Sequence, residues 1–392
     1  MPEIMLVIEP TSLLVMNKEK AGSKTLNSVN YIPGAVIRGA LAEYFIALGK
    51  SKDIAPFVSK IRFGNFFPSP SRSVVSLPFP ISAMECKKEP GFCNVPKKNY
   101  KEKGHGIRDT LIPAMVYYQF MKEGIRMPVP FLFQCSKCGS RMEQVGGFYV
   151  HLPEGWKKVA PKKIIQTKTA LSRYRRTSQK GLLYRVVSLR PEGCFVGRIW
   201  CEDGNEEIVI EAVEKMGIGA LISKGMGEVR VVKNSVSLPS VKERLEEFNR
   251  TVREVWEDMR YLLTELEVKN IPEFPEGVFF SVDLLSPAIL KDENKIPTLK
   301  LILKYNNKLI EPIYWTTRPA LAGGWSTAWG LPKPTDLAAS QGSSYVFLIK
   351  DSMVNVVKYL EKLEEDGIGE KTDEGMGEII ICHTFHKEVN PI

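Results

Sequence analysis

The chain has 392 residues, 44% of them apolar and 25% charged, with 54 Lys+Arg against 45 Asp+Glu and a net charge of +9. That length fits two domains with room for an insertion, and the positive balance favours an acidic partner, of which nucleic acid is the commonest. The longest apolar runs, such as residues 345–349 and 379–382, are strand-length and exclude a bilayer-spanning helix; Glu3 sits where a signal peptide would be cationic, so a cytoplasmic location and no membrane partner are expected.

Residues 4–15 read as a strand that breaks at a Ser/Pro/Leu cluster. Tyr31-Ile32-Pro33-Gly34 then leads into a helix whose Ile37, Leu41, Tyr44, Phe45 and Leu48 form one apolar stripe. Pro33 stands near the first turn, where its missing donor costs least. Residues 63–163 are rich in Pro, Gly and Lys and read as an insertion that holds four of the seven cysteines. Cys86 and Cys93 make C-x6-C, and Cys135 and Cys138 make C-x2-C. Two thiolates on a tight turn reach one tetrahedral ion, so these four cysteines predict a zinc. Four protein ligands leave no open position, which makes such a zinc structural, pinning an insertion with little core of its own. His105 or His151 could replace one ligand; the alternative is four reduced, unliganded thiols. Cys194, Cys201 and Cys382 lie in apolar, strand-like contexts and read as buried filler.

Basic residues crowd the next stretch. Lys157, Lys158, Lys162 and Lys163 precede Lys168, Arg173, Arg175, Arg176, Lys180 and Arg185, interleaved with Thr167, Thr169, Ser172, Tyr174, Thr177 and Ser178. Guanidinium groups fork onto phosphates, hydroxyls add donors, and Tyr174 can stack on an unpaired base. Such a segment has little apolar surface to bury and should project as a hairpin. Its bland alternative is a solvated loop. Trp325 and Trp329 could also stack on bases, but aromatic residues in a strand region fit a core better.

An internal repeat sets the architecture. Gly217-Ile218-Gly219, five residues, then Gly225-Met226-Gly227-Glu228 recurs as Gly367-Ile368-Gly369, five residues, then Gly375-Met376-Gly377-Glu378. Each copy follows a helix-like stretch and runs into a β-branched strand. Closely spaced glycine amides can approach phosphate oxygens, and Lys215 and Lys224 add positive charge to the first loop. Glu370, Asp373 and Glu374 oppose a polyanion at the second. The competing role for both loops is a tight helix-to-strand turn.

Two copies of one domain follow, at residues 1–237 and 276–392, joined by a linker (238–275) with a charged helix carrying apolar Leu245, Phe248, Val252, Val255, Met259 and Leu262. The expected fold class is α+β: two tandem ferredoxin-like (βαββαβ, RRM-like) domains, with a zinc-bearing insertion in the first.

Residues 31–41, joined to the doubled glycine loop, resemble the RAMP superfamily of CRISPR systems. Residues 77–82, 167–184 and 323–343 further resemble the large, handle-binding subunit of type III effector complexes. The resemblance implies a scaffold that holds the 5′ handle of a CRISPR RNA at one end of a ribonucleoprotein. Its partners would be the large signalling subunit and the backbone RAMP subunits, with target RNA bound indirectly. It also implies that the start of the first helix lines the RNA path, with Arg38 on a phosphate; a surface salt bridge is the competing role.

No enzyme is expected. A metal-independent endoribonuclease of the same superfamily needs a general base by the first helix, where Tyr31 stands without a histidine. His383 and His386 follow the last strand and are expected at the surface. Asp53 and Asp109 sit in no matching motif for target-RNA cleavage. A zinc-containing DNA-binding regulator is a further alternative that lacks a helix-turn-helix signal.

Overall fold

The first strand is apolar on both faces because both are covered. β1 (Glu3–Pro10) turns Leu6 and Ile8 towards two helices and Met5 and Val7 to the opposite side. The computed structural model, which describes residues 2–16, 25–93, 96–97, 100–125, 134–326 and 330–392, continues from it into α1 (Gly34–Ala47). Pro33 caps that helix from extended geometry, and Ile37, Ala40, Leu41, Tyr44 and Phe45 are its buried stripe. Leu48 lies past the helix end and is half exposed, so the stripe stops one turn earlier than its spacing suggested.

β2 (Arg62–Ser69) follows. Its Phe63, Phe66 and Phe67 are buried, which places a sheet strand where the insertion was expected to begin. The Pro/Gly/Lys-rich composition starts only after it. Among the described residues of the insertion, α2 (Leu111–Lys122) is the longest element. A basic hairpin comes next, β3 (Lys163–Leu171) against β4 (Ser178–Leu189). Then β5 (Cys194–Trp200), α3 (Asn205–Met216) and β6 (Val229–Asn234) complete the first unit. Its sheet order is β6-β1-β5-β2, every neighbouring pair antiparallel. α1 and α3 share one apolar cluster with Leu6, Ile8, Phe63 and Phe195 of that sheet.

α4 (Val241–Glu265) opens on a capping box, Ser240 and Glu243 bonding each other's backbone amides. Leu245, Phe248, Val252, Val255 and Met259 are buried as expected, but Leu263 closes the stripe and Leu262 is half exposed. Four residues on from Met259 returns to the same face, whereas three falls to its edge.

The second unit has β7 (Val278–Leu284), β8 (Tyr314–Thr316), β9 (Ser344–Ile349), α5 (Met353–Asp366) and β10 (Ile379–Ile381), in sheet order β8-β9-β7-β10, again antiparallel. Between β7 and β8, where the first unit places α1, the described residues form short hairpins instead. α4 and α2 supply the missing cover. Phe120, Trp256, Phe279, Phe347 and Leu360 belong to one cluster, so linker and insertion helices share the second unit's core. No helix among the described residues is long and apolar enough to cross a membrane.

Candidate nucleic-acid interface and metal cluster

The two glycine loops repeat bond for bond. In the first, Ile218 N–H donates to the Gly227 carbonyl, Gly227 N–H to Leu13, Ala220 N–H to Val15 and Glu228 N–H to the Ser12 hydroxyl, each at 2.9 Å. In the second, Ile368 donates to Gly377 (3.0 Å), Gly377 to Pro287 (2.9 Å), Glu370 to Ile289 (3.0 Å) and Glu378 to the Ser286 hydroxyl (2.8 Å). The amides of Gly217, Gly225, Gly227, Gly367, Gly375 and Gly377 all donate within the chain. Their glycines thus do the turn-forming work that the sequence set against phosphate contact; Gly219 and Gly369 press on the Val15 and Ile289 carbonyls.

What surrounds the loops differs. Gly375 is buried, and a Cβ there would stand 3.1 Å from the Gly34 Cα at the start of α1. Asn65 of β2 ties the contact: its side chain donates to the Gly375 carbonyl (3.0 Å) and accepts from Gly34 N–H (3.0 Å), while its own N–H donates to Glu378 Oε2 (2.8 Å). Arg38 pairs with Asp373 (3.2 Å) and Glu374 (3.5 Å) of the same loop. The second loop is therefore seated on the first unit, and Arg38 makes the salt bridge that was the alternative to phosphate contact. Gly225, by contrast, is exposed with nothing within 4 Å of a Cβ placed on it.

Beside Asn65 runs a buried ionic seam. Arg198 meets Glu378 (3.1 Å), Glu364 (3.3 Å) and Glu3 (3.3 Å), and Arg244 meets Glu364 (3.0 Å). Arg62 donates to the carbonyls of Glu364 and Glu365 and stacks 4.0 Å above the Trp200 ring. Burial penalises the Arg198 charge, yet the surrounding carboxylates outweigh it and hold the guanidinium more firmly protonated than usual. Burial likewise opposes the Glu364 charge, and Arg244 and Arg198 reverse that and lower its pKa.

The basic hairpin carries the exposed charge. Arg173, Arg175 and Arg176 lie at its exposed tip, Tyr174 is 95% exposed, and Lys168 is half-buried on β3. No described carboxylate lies within ion-pair distance of Lys168, Arg173, Arg175 or Arg176. Along the hairpin, Lys224 Nζ sits 3.3 Å from the hydroxyl of Tyr184, the register partner of Lys168, bringing the first glycine loop to β4. Lys215 instead pairs with Glu211 at 2.5 Å. The side chains of Lys180 and Trp325, and the whole of Trp329, lie outside the described residues.

In the insertion, Cys86, His105, Cys135 and Cys138 bring one ligand atom each within 4.8 Å of one another. A tetrahedron with Zn–S bonds of about 2.3 Å has edges of roughly 3.8 Å, so a three-thiol, one-imidazole set fits zinc. The group that stands beside these three thiols is His105, while the Cys93 thiol lies 3.1 Å from Lys137 Nζ. His151 stacks on Trp156 with ring centroids 4.4 Å apart and takes no part. Cys138 has its pKa lowered to about 6 by hydrogen bonds from Ser140, whereas burial raises that of Cys86.

His383 and His386 are buried, not at the surface. His386 Nε2 lies 2.8 Å from Asp283 and Nδ1 lies 3.2 Å from Asp109, joining β7, the insertion and the C-terminal turn. His383 Nε2 bonds the Pro78 carbonyl at 3.1 Å. Tyr31 packs on Phe67 and Phe148, where burial raises its pKa to about 12. His383 and His386 are thus hydrogen-bonded within the fold, and Tyr31 is packed among aromatic rings.

Fold and site together define a mixed α+β protein with two four-stranded antiparallel sheets, paired glycine loops and an exposed basic hairpin. The chain belongs to the RAMP superfamily: that family's model matches residues 20–230. Solved structures similar to it include a chain of the type III-B Cmr-beta complex bound to cognate target RNA and AMPPnP (11% identity, 93% of this chain and 90% of that one, TM-score 0.36). Others are a chain of the Csm3–Csm4 subcomplex of the type III-A CRISPR-Cas interference complex (15% identity, 88% and 92%, TM-score 0.35) and one of the Csm1–Csm4 cassette with cA4 (12%, 88% and 87%, TM-score 0.33). No curated protein matches the chain.

Proposed function

We propose that this chain is a non-catalytic, RNA-binding scaffold subunit of a type III CRISPR effector ribonucleoprotein, built from two tandem ferredoxin-like units. In that reading it holds the 5′ handle of the CRISPR RNA and caps one end of the complex, beside the large signalling subunit and the backbone RAMP subunits, for antiviral defence. The observation that carries the reading is the hairpin: Arg173, Arg175 and Arg176 stand exposed around Tyr174 with no described carboxylate in range. Unneutralised guanidinium groups around an exposed ring suit a single-stranded polyanion, giving phosphate attraction and a stacking platform together. Lys168 extends that charge along β3.

The strand orders β6-β1-β5-β2 and β8-β9-β7-β10 support the tandem reading, since both place the first and third strands at the centre. A zinc held by Cys86, His105, Cys135 and Cys138 would cross-link the insertion and leave no position for substrate. The test is purification from the native host with sequencing of bound RNA. Short RNAs sharing one 5′ end support the reading. Turnover of repeat RNA by the isolated chain would replace it with the endoribonuclease.

A further inference from the structure

The two glycine loops share a scaffold, yet among the described residues only the second has its outer face occupied. At the second, the start of α1 rests on Gly375, Asn65 reaches the Gly375 carbonyl and donates its N–H to Glu378, and Arg38 pairs with Asp373 and Glu374. The matching positions of the first loop are Gly225, Glu228, Ser223 and Lys224, all exposed. No described residue bonds the Glu228 carboxylate, whereas Glu378 is only 2% exposed. Identical internal bonds hold both loops in the same shape. A surface that receives a helix start in one copy is thus presented empty in the other.

We propose that the outer face of the first glycine loop docks the corresponding element of a neighbouring subunit: a βαββαβ unit whose first helix starts at a glycine, with an asparagine on the adjoining edge strand. Its glycine would seat on Gly225 and its asparagine N–H would donate to Glu228. Lys224 stands where the second loop has Glu374, so the partner's residue in place of Arg38 is neutral or acidic. A second copy of this chain cannot be the partner, because its own Gly34, Asn65 and Arg38 are already taken by its own second loop. Head-to-tail contacts of this kind build open filaments. This chain offers one open end and one sealed end, which makes it a terminator of such a filament. The inference rests on the scaffold reading and adds the surface through which capping occurs.

The test uses the full-length chain, the single-unit RAMP subunit of the same host and a CRISPR RNA. Glu228→Lys reverses the accepting charge, and Ser223→Trp blocks the face without changing charge; neither residue is buried. Both variants should melt like the wild type and bind RNA on their own as it does, yet bind the partner subunit about tenfold or more weakly, as loss of interfacial charge complementarity does. Wild-type assembly by both variants overturns the inference and leaves the scaffold reading standing. Loss of RNA binding by the isolated variants overturns it too, assigning the face to RNA. A wild-type chain that binds neither RNA nor the subunit removes the scaffold reading, and this inference with it.

Discussion

Arg198 of the first sheet and Glu378 of the second repeat meet at 3.1 Å with both side chains almost wholly buried. Each half of the protein thereby supplies the counter-charge the other has desolvated. Removing Arg198 strips Glu378 of its ion-pair partner, whereas Arg198 without Glu378 keeps Glu364 and Glu3; breaking a buried pair costs about 3–5 kcal/mol, with Arg198→Met the costlier change. Arg198→Met and Glu378→Gln should each lower the urea midpoint sharply. The double variant should recover part of that loss, because a burial penalty disappears along with the attraction. Equal losses in single and double variants would refute this account of the seam.

His386 makes stability depend on alkaline pH. Burial disfavours its charge, but Asp283 and Asp109 outweigh that and raise its pKa to about 10. The folded value exceeds the ordinary 6.5, so the contribution is complete below pH 6.5 and is lost as pH rises through 10. Below 6.5 His383 acts in the opposite sense, since burial lowers its pKa to about 4 and protonation then favours the unfolded chain. The window that reports His386 is therefore pH 6.5 to 10, within which its contribution falls as pH rises. Chemical denaturation across that range should show wild-type stability falling with rising pH relative to His386→Gln, the Cys138 titration being common to both.

Much of this arrangement was legible beforehand, for identifiable reasons. The doubled glycine motif predicted two loops of one shape, because its internal bonds demand the same residues twice. The stripe of α1 and the basic hairpin followed from periodicity and charge. The seam did not, because Arg198, Glu364 and Arg244 become partners only once two sheets and a linker helix converge. Two hints were present: Asn65 is polar within an otherwise aromatic run, and glutamate follows both GMG triplets. The His386 cluster was unreadable because its aspartates lie 103 and 277 residues upstream, as 386 − 283 and 386 − 109. That His105 lies beside Cys86, Cys135 and Cys138 was visible only in three dimensions.

Metal analysis of freshly purified protein should find one zinc per chain. Cys93→Ser should retain it, while Cys135→Ser and His105→Ala lose it. Zinc removal should expose the chain around Cys86 and Cys135–Cys138 to limited proteolysis, while α2 stays packed in the second unit's core and the first unit persists on its own apolar cluster. Retention by His105→Ala together with loss by Cys93→Ser would restore the all-cysteine ligand set.

The hairpin tip is the most direct test of RNA binding. Each phosphate neutralised on a single strand contributes about 0.7 to the slope of log K against log salt. Replacing Arg173, Arg175 and Arg176 together with Ala should therefore weaken binding and reduce that slope by roughly 2, if all three contact phosphates. Tyr174→Ala should cost about 1–3 kcal/mol with the slope unchanged, because stacking releases no counterions. The two signatures separate attraction from stacking within one hairpin. A triple variant whose salt dependence matches the wild type would place the RNA elsewhere on the molecule.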